Sequence, residues 1–365
     1  MHRFCLLALP LSLLAALAST RAEAVSFDRV VALGDSLFDD SAGVRSPVAA
    51  EHVADALRAP LTNLAVSGDN SSQLIASGWH TTAAASFGEG DLAALWIGGN
   101  DLFDSALAIT FGLFGAVDTL ESNVDTILDT LTEAGMEVVV FNLPDLSDVP
   151  VTLGIQNFGV ATVDWNNRLD ALAQQYGATV VDVFSLFEAI NADPTQFDLY
   201  GNTPEVRDSL LLDCPLCVFE DPIHPSSFAQ GFIANEAIGA INAAYDPQGQ
   251  MPLEELSIVD IALLADVYAG DFDSSGAVTA TDVVFWENGF GQTGGTHAAG
   301  DADLDLDTDV SDLLILQRQF GFGTAAVAAV PEPSVLALAA ITSVVLCLHG
   351  GGRGRLAYFG ITRLS

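Results

Sequence analysis

The chain contains no lysine: its 11 basic residues are all arginines, against 48 aspartates and glutamates. The formal net charge is therefore −37 at pH 7. Such a chain repels phosphate groups, which argues against a nucleic-acid-binding protein and against binding to anionic membranes. We attribute most of this charge to solubility and salt tolerance, and a local part of it to two acidic loops near the C-terminus.

Cysteine is also scarce, with four in 365 residues. Cys5 and Cys347 lie in apolar segments at the two ends, so only Cys214 and Cys217 remain in the body of the chain. Two cysteines at this spacing form a tight disulfide in an exported protein, a redox pair or half of a zinc site. No second pair of cysteines or histidines stands at zinc spacing. We therefore expect a local disulfide that stiffens the loop before Asp221.

The N-terminus has the features of a secretory signal. A short basic start precedes the apolar run Phe4–Ala18, and Ala22-Glu23-Ala24 fits the small-x-small cleavage pattern. An uncleaved anchor is the alternative, but the apolar run is short for a membrane span. We expect residues 1–24 to be removed, and an exported protein that works in the cell envelope or outside the cell.

Half of the residues are hydrophobic, which is enough for one sizeable α/β domain and a small module. Residues 25–246 alternate short, continuous apolar runs with longer helical patterns, which predicts a parallel sheet covered by helices on both faces. Sites in such sheets form at the carboxyl ends of the strands. The predicted strands are Val30–Leu33, Leu61–Val66, Leu92–Ile97, Val138–Phe141 and Thr179–Val183. The predicted helices are Val48–Leu57, Val117–Ala134, Val163–Tyr176 and Ser227–Ala244.

Three of these strands end in segments that suit catalysis. The first leads into the tetrapeptide G-D-S-L, which would present the hydroxyl of Ser36 at the functional edge of the sheet. The second ends at Gly68, whose backbone N–H would be unobstructed. The third leads into G-G-N-D, where the amide of Asn100 suits a developing oxyanion. Taken singly, each has an ordinary alternative: a helix cap for Ser36 and a turn for Gly68 and Asn100.

His224 is the candidate for a catalytic base. It follows Asp221 by three residues in the segment D-P-I-H-P, and the prolines fix the backbone around it. An aspartate in this position can hold the tautomer of the imidazole and stabilise its protonated form. An exposed loop histidine is the alternative.

Together the four segments resemble the conserved blocks of the SGNH (GDSL-type) hydrolase family, in the order of that family and over roughly residues 27–245. The resemblance implies a three-layer α/β/α, flavodoxin-like domain with five parallel strands, and a serine esterase or lipase that needs no cofactor for catalysis. It implies Ser36 as nucleophile, His224 as general base and acid, and Asp221 as the residue that orients His224. It also implies an oxyanion hole formed by the backbone N–H groups of Ser36 and Gly68 and the side chain of Asn100.

The substrates of that family include lipids, acetylated sugars and small esters, so the resemblance implies an ester substrate. Leu102–Val117 is rich in leucine, isoleucine and phenylalanine. It would line an acyl-binding groove or form a buried helix, and we favour the buried helix. The alternative function is a non-catalytic surface binding or scaffold protein with a hydrolase-like domain and a calcium module.

A repeat follows a predicted linker at 247–256. The sequence G-D-F-D, which begins at Gly270, returns as G-D-A-D thirty residues later. Each copy places side-chain oxygens at positions 1, 3, 5, 9 and 12 of a calcium loop and leads into a predicted helix. Gly276 occupies position 6 of the first loop, whereas Leu306 stands there in the second and disfavours the turn. The predicted ligands are Asp271, Asp273, Ser275, Thr279 and Asp282, then Asp301, Asp303, Asp305, Asp309 and Asp312.

This duplication resembles a dockerin-type module, which implies a small all-α calcium-binding unit at 257–323 and a cohesin-like partner. An acidic, solvated linker is the alternative, and a further hypothesis gives the main role to this module in adhesion or assembly. Residues 330–355 begin with V-P-E-P, continue as an apolar run and end in arginines, which resembles a PEP-CTERM sorting signal. That resemblance implies a sorting protease at the membrane, with a plain membrane anchor as the alternative.

Overall fold

The computed structural model describes residues 25–39, 46–206, 214 and 216–323. The predicted signal peptide at 1–24 and the predicted sorting segment at 330–355 lie outside the described residues. Across the described ranges, no helix combines the length and the apolar character needed to cross a membrane.

The secondary structure alternates strands and helices up to residue 245 and is helical after it. The strands are β1 (Val30–Gly34), β2 (Leu61–Asn63), β3 (Leu92–Trp96), β4 (Glu137–Phe141) and β5 (Thr179–Val181). The helices are α1 (Ala49–Leu57), α2 (Ser71–Ser77), α3 (Trp79–Ser86), α4 (Gly99–Asp104), α5 (Ala106–Thr110), α6 (Gly115–Glu133), α7 (Gln156–Tyr176), α8 (Val183–Ala192), α9 (Ser227–Tyr245), α10 (Ile258–Leu264), α11 (Ala280–Gly289) and α12 (Val310–Gln319). Short 3-10 helices lie at Pro150–Thr152, Pro194–Phe197 and His297–Ala299.

The five strands form one parallel sheet in the order β2-β1-β3-β4-β5. Every residue of β1 and β3 is buried, regardless of the direction in which its side chain points. Helices therefore cover both faces, with α1, α8 and α9 packed together as one group and α2, α3, α6 and α7 as another. The predicted five-stranded parallel sheet with helices is confirmed, because the buried strands carry the continuous apolar runs that such a sheet needs.

The sequence pattern did not reveal where β5 ends. The prediction ran to Val183, but the strand ends at Val181 because the next residue caps a helix. The Oδ1 atom of Asp182 accepts a hydrogen bond of 3.1 Å from the backbone N–H of Ser185, and α8 begins there. Helix α8 and the short helices α2 and α3 were not predicted, and α4 and α5 were not predicted as separate helices.

The favoured prediction of a buried helix over Leu102–Val117 is wrong. The segment is broken into α4, α5 and a turn, and the α5 carbonyl of Thr110 is tied to the side chain of Asn157 on α7. Ile109 is buried, but Leu107, Phe111 and Leu113 are exposed. Only one side of the segment therefore belongs to the core.

The end of β1 passes so close to β3 that it requires glycine. Gly34 has a φ of +149°, and a Cβ atom built on it would lie 2.0 Å from the carbonyl oxygen of Trp96. The next backbone N–H, of Asp35, donates a 3.3 Å hydrogen bond to that same oxygen. The strand end thus leaves the sheet at a fixed point, immediately before Ser36.

Residues 253–264 are fastened to α9. Two asparagines two turns apart on α9 each donate to a backbone carbonyl and accept from the N–H of the same residue, Asn242 with Leu253 and Asn235 with Leu256. Further along the chain, the hydroxyl of Tyr200 donates a 2.6 Å hydrogen bond to the carbonyl of Ala302. These bonds attach the helical part of the chain to the sheet domain.

We predict that Gly34→Ala destabilises the protein by at least about 3 kcal/mol, because the new methyl group collides with backbone and the φ angle disfavours any side chain. Gly115→Ala is the matched control, since nothing lies within 4 Å of its Cβ position at the start of α6. Chemical denaturation of both variants measures the difference. Equal free energies of unfolding would contradict the role given to Gly34.

Candidate active site

Ser36 lies directly beyond the carboxyl end of β1, in a turn that Asp35 organises. The Oδ1 atom of Asp35 accepts a 2.9 Å hydrogen bond from the backbone N–H of Leu37. The carboxyl group of Asp35 is buried, and Ser36 is 9% exposed. The serine hydroxyl is therefore presented at the edge of the sheet while most of the turn around it is closed.

Ser36, His224 and Asp221 form a continuous chain of hydrogen bonds. The Oγ atom of Ser36 lies 2.7 Å from Nε2 of His224. The Nδ1 atom of the same imidazole lies 2.6 Å from Oδ2 of Asp221. The three residues come from two segments that are far apart in the sequence, since Ser36 and Asp221 are separated by 185 positions.

The loop that carries His224 is closed on itself. The second oxygen of Asp221, Oδ1, accepts hydrogen bonds of 2.8 Å from the backbone N–H groups of Ile223 and His224. Across the loop, the N–H of Glu220 donates to the carbonyl of His224 at 2.9 Å. Burial raises the pKa of Asp221, but the hydrogen bonds from His224 and from the two backbone N–H groups outweigh it and bring that pKa to about 2. Asp221 is therefore ionised at neutral pH.

Asn100 stands at the start of α4, beside both neighbouring segments. Its Nδ2 atom donates a 3.0 Å hydrogen bond to the carbonyl of Asp69 and a longer one of 3.3 Å to Oδ2 of Asp35. Gly68 directly precedes Asp69 and has a φ of +85°, with open space at its Cβ position. Asn100 is thus joined to the turn of Ser36 and to the residue after Gly68.

Two buried polar side chains that support the site were missed. Gln230 on α9 is fully buried, donates 3.2 Å to the carbonyl of Leu37 and accepts 3.0 Å from the N–H of Ala49. Asp101 accepts from both the N–H and the hydroxyl of Ser71, and burial raises its pKa. A glutamine within an apolar helical pattern is the one signal in the sequence that points to Gln230.

A small apolar cavity of about 30 Å³ opens beside Ser36 and Asn100. Trp96 at the end of β3 and Phe103 on α4 line it, together with Val149 and Ile223 from two other segments. The remaining lining residues are Asp35, Leu37, Gly99, Leu143, Pro144, Leu146, Phe219 and Pro225. The cavity suits a short apolar group bound next to the serine hydroxyl.

Cys214 and Cys217 are joined by a disulfide. The backbone of Cys217 pairs with that of Glu205, and the strand-like segment then continues to Phe219, which pairs with Pro225 just after His224. The disulfide therefore lies in the stretch that leads to the Asp221 loop.

The predicted calcium ligands fall into two compact groups. Carboxylate oxygens of Asp271, Asp273 and Asp282 lie within 4.8 Å of one another, as do those of Asp301, Asp303 and Asp312. Three more predicted ligands are bonded to these groups or lie against them: Ser275 to Asp271, Thr279 to Asp282, and Asp309 beside Asp312. The side chain of Asp305 instead accepts from the N–H of Asp307.

Comparison with known proteins adds one family and several structures. The family model described as GDSL-like Lipase/Acylhydrolase family matches residues 32–229, which is more than half of the chain and includes Ser36, Asn100 and His224. No curated protein matches the chain in sequence.

Solved structures of similar fold belong to proteins of low sequence identity. A putative GDSL-like lipase from Parabacteroides merdae is 19% identical, with 60% of this chain and 97% of that one covered and a TM-score of 0.44. A member of the lipolytic G-D-S-L family from Veillonella parvula is 17% identical, with 58% and 96% covered and a TM-score of 0.42. An acetylxylan esterase from Geobacillus stearothermophilus is 15% identical, with 59% and 94% covered and a TM-score of 0.44.

Identities of this size carry no information on the substrate of this chain. The family match rests instead on the segment that contains the hydrogen-bonded serine, histidine and aspartate. The chain belongs to the GDSL-like lipase/acylhydrolase family, and it is a carboxylic-ester hydrolase.

Proposed function

We propose that this enzyme cleaves its ester through an acyl-serine intermediate formed on Ser36. The observation that carries the proposal is the unbroken chain from Ser36 Oγ through the imidazole of His224 to Asp221, with contacts of 2.7 and 2.6 Å. Each contact has the length of a short, well-formed hydrogen bond between side chains. The arrangement supplies a nucleophile, a base and a group that orients the base.

The reaction has two halves. As Ser36 Oγ attacks the ester carbonyl carbon, its proton passes to Nε2 of His224, and the protonated imidazole then gives that proton to the departing alcohol as the ester bond breaks. A water molecule next loses a proton to His224 and attacks the acyl-serine, and the serine recovers its proton as the acid leaves. Asp221, which is ionised at neutral pH, accepts the Nδ1–H bond throughout and stabilises the imidazolium.

The oxyanion of each tetrahedral intermediate needs donors close to Ser36. We propose the backbone N–H groups of Ser36 and Gly68 and the Nδ2 of Asn100 for this role. The amide of Asn100 already borders the cavity beside Ser36. Its 3.3 Å bond to Asp35 is the weaker of its two hydrogen bonds, so the oxyanion would replace that one and leave the bond to Asp69 in place.

We further propose that the enzyme acts outside the cytoplasm on a lipid, an acetylated sugar or another small ester. The signal-like sequence at 1–24 and the sorting-like sequence at 330–355 support export and attachment at the cell envelope. A disulfide between Cys214 and Cys217 suits an oxidising compartment.

We predict that Ser36→Ala lowers the hydrolysis of p-nitrophenyl acetate by at least about 10³-fold, because it removes the hydroxyl that lies 2.7 Å from Nε2 of His224. Ser72→Ala is the control, since it removes only an exposed hydrogen bond to Asn123. Labelling with a fluorophosphonate should modify wild type and the control and spare the Ser36 variant. Substantial hydrolysis or labelling in a folded Ser36→Ala protein would contradict the mechanism.

For the C-terminal part of the chain, we propose two calcium sites within a module at 257–323, joined by 247–256 to a catalytic domain at 25–246. The second site shows whether the residues present suit a calcium ion. Asp301 is 1% exposed and its Oδ1 has no hydrogen-bond partner, although it lies beside the equally buried Asp312. In the described part of the chain, no arginine pairs with either carboxylate. Buried carboxylates placed together repel each other while they are ionised, and a bound cation relieves that repulsion. Their oxygens suit calcium, which would supply the positive charge.

A partner of the cohesin type is part of the same proposal. The two loop helices expose apolar residues at corresponding positions thirty residues apart: Val284 with Leu314, and Phe290 with Phe320. A duplicated apolar surface of this kind supports binding to another protein module.

Leu306 offers a direct test of the calcium proposal. It occupies position 6 of the second loop with a φ of +75°, where Gly276 stands at +84° in the first. A leucine in this conformation is strained by about 1–2 kcal/mol. We predict that Leu306→Gly raises the calcium affinity of the second site several-fold and that Gly276→Leu lowers that of the first.

Titration calorimetry with calcium chloride, together with melting temperatures in calcium and in chelator, measures both effects. The space beside Gly276 is open, so its substitution tests backbone strain alone. Absence of calcium binding in wild type, or weaker binding after Leu306→Gly, would overturn the proposal.

A further inference from the structure

Exposed apolar side chains, which the core does not use, lie on two segments that lead away from the cavity beside Ser36. On one side, Leu107, Phe111 and Leu113 are 76%, 74% and 63% exposed. A second group, on the segment after β4, consists of the exposed residues Val151, Leu153 and Ile155. We call these six residues the apolar collar. Large apolar side chains exposed together mark a surface that binds something.

Both halves of the collar are attached to the lining of the cavity. Phe103 lines the cavity, packs against Phe158 of α7 with ring centroids 5.9 Å apart, and lies four residues before Leu107 in the chain. On the other side, Val149 lines the cavity two residues before Val151. The N–H of Val151 donates a 3.0 Å hydrogen bond to the carbonyl of Pro222, between Asp221 and His224. Apolar surface therefore runs outward from the cavity along both segments.

The segments that carry the two halves are also linked to each other through α7. The side chain of Asn157, two residues beyond Ile155, donates a 3.0 Å hydrogen bond to the carbonyl of Thr110 at the end of α5. This hydrogen bond holds together the two segments that carry the collar.

The collar lacks charge in a chain that is otherwise strongly acidic. Residues 105–117 and 149–163 contain no charged side chain, and each range is bounded by an aspartate at both ends. The net charge of −37 repels an anionic surface. An uncharged apolar surface, by contrast, carries no charge that would repel the chain, and it suits an uncharged apolar region.

We propose that the apolar collar docks the enzyme on an uncharged lipid surface, from which ester molecules pass directly into the cavity. The proposal rests on the proposed esterase mechanism and specifies its substrate as an aggregated, apolar ester. The cavity, at about 30 Å³, is too small for a long acyl chain. The remainder of such a chain would lie along the collar.

The test compares binding and hydrolysis on droplets of triacylglycerol coated with phosphatidylcholine. Binding is measured by flotation in the Ser36→Ala background, so that the droplets stay intact. We expect Leu107→Ser/Phe111→Ser to weaken binding by at least about tenfold. The same pair of substitutions in active enzyme should lower the ratio of droplet hydrolysis to p-nitrophenyl acetate hydrolysis by a similar factor. The control is Met251→Ser/Leu263→Ser, which changes exposed apolar residues remote in sequence from the collar, and it should keep wild-type binding.

Other outcomes separate this proposal from the mechanism. Wild type that hydrolyses p-nitrophenyl acetate but does not float with the droplets would overturn the collar proposal alone. Wild type that floats but hydrolyses neither substrate would contradict the mechanism and leave the collar intact. A dimer in light scattering that the collar variant dissociates, without droplet binding, would identify a second copy as the occupant and overturn the proposal. Coating the droplets with phosphatidylglycerol should weaken binding, and added salt should restore it.

Discussion

The close approach of Gly34 to the carbonyl of Trp96 fixes the geometry on which the site depends. Because no side chain fits between the ends of β1 and β3, the two strands leave the sheet almost in contact. The turn after β1 then presents Ser36, and the turn after β3 presents Asn100. Asp35, between them, bonds to both turns. The distance between nucleophile and amide is thus set by backbone packing, which is stiffer than any contact between two mobile side chains.

The other half of the site is local in sequence. Asp221 receives hydrogen bonds from the ring and the backbone of a histidine only three residues away, so the relative position of the two follows from one short loop. Within the triad, only the contact between His224 and Ser36 is long-range. That contact requires α9, whose buried Gln230 bonds to the turn of Ser36, to be docked correctly. Placing this half of the site against Ser36 therefore depends on the packing of one helix.

Much of this organisation could be predicted from the sequence, for physical reasons that also explain the failures. Strands β1, β3 and β4 are buried on both faces, and continuous apolar runs identify them. Ser36, Asn100 and the Asp221/His224 pair follow strands or precede a helix, where parallel topology gathers side chains. The short helices α2 to α5 had no such signal, because tertiary contacts such as that between Ser71 and Asp101 stabilise them. Hydropathy alone also misjudged Phe111, since it does not distinguish the core from an exposed apolar surface.

The paired hydrogen bonds from Asn235 and Asn242 to residues 253–256 limit how far the helical part of the chain can move from the sheet domain. If the ten residues 247–256 behaved as a flexible chain, the average distance between their two ends would be about 18 Å, and the parts that they join would move independently. Here Leu253 and Leu256 are hydrogen-bonded to α9, and the hydroxyl of Tyr200 is hydrogen-bonded to Ala302 further along the chain. The sheet domain and the helical part of the chain are therefore expected to move as one unit. A partner that binds the helical part would therefore also fix the direction in which the mouth of the catalytic cavity faces. The esterase domain would be held in one orientation instead of moving on a flexible tether.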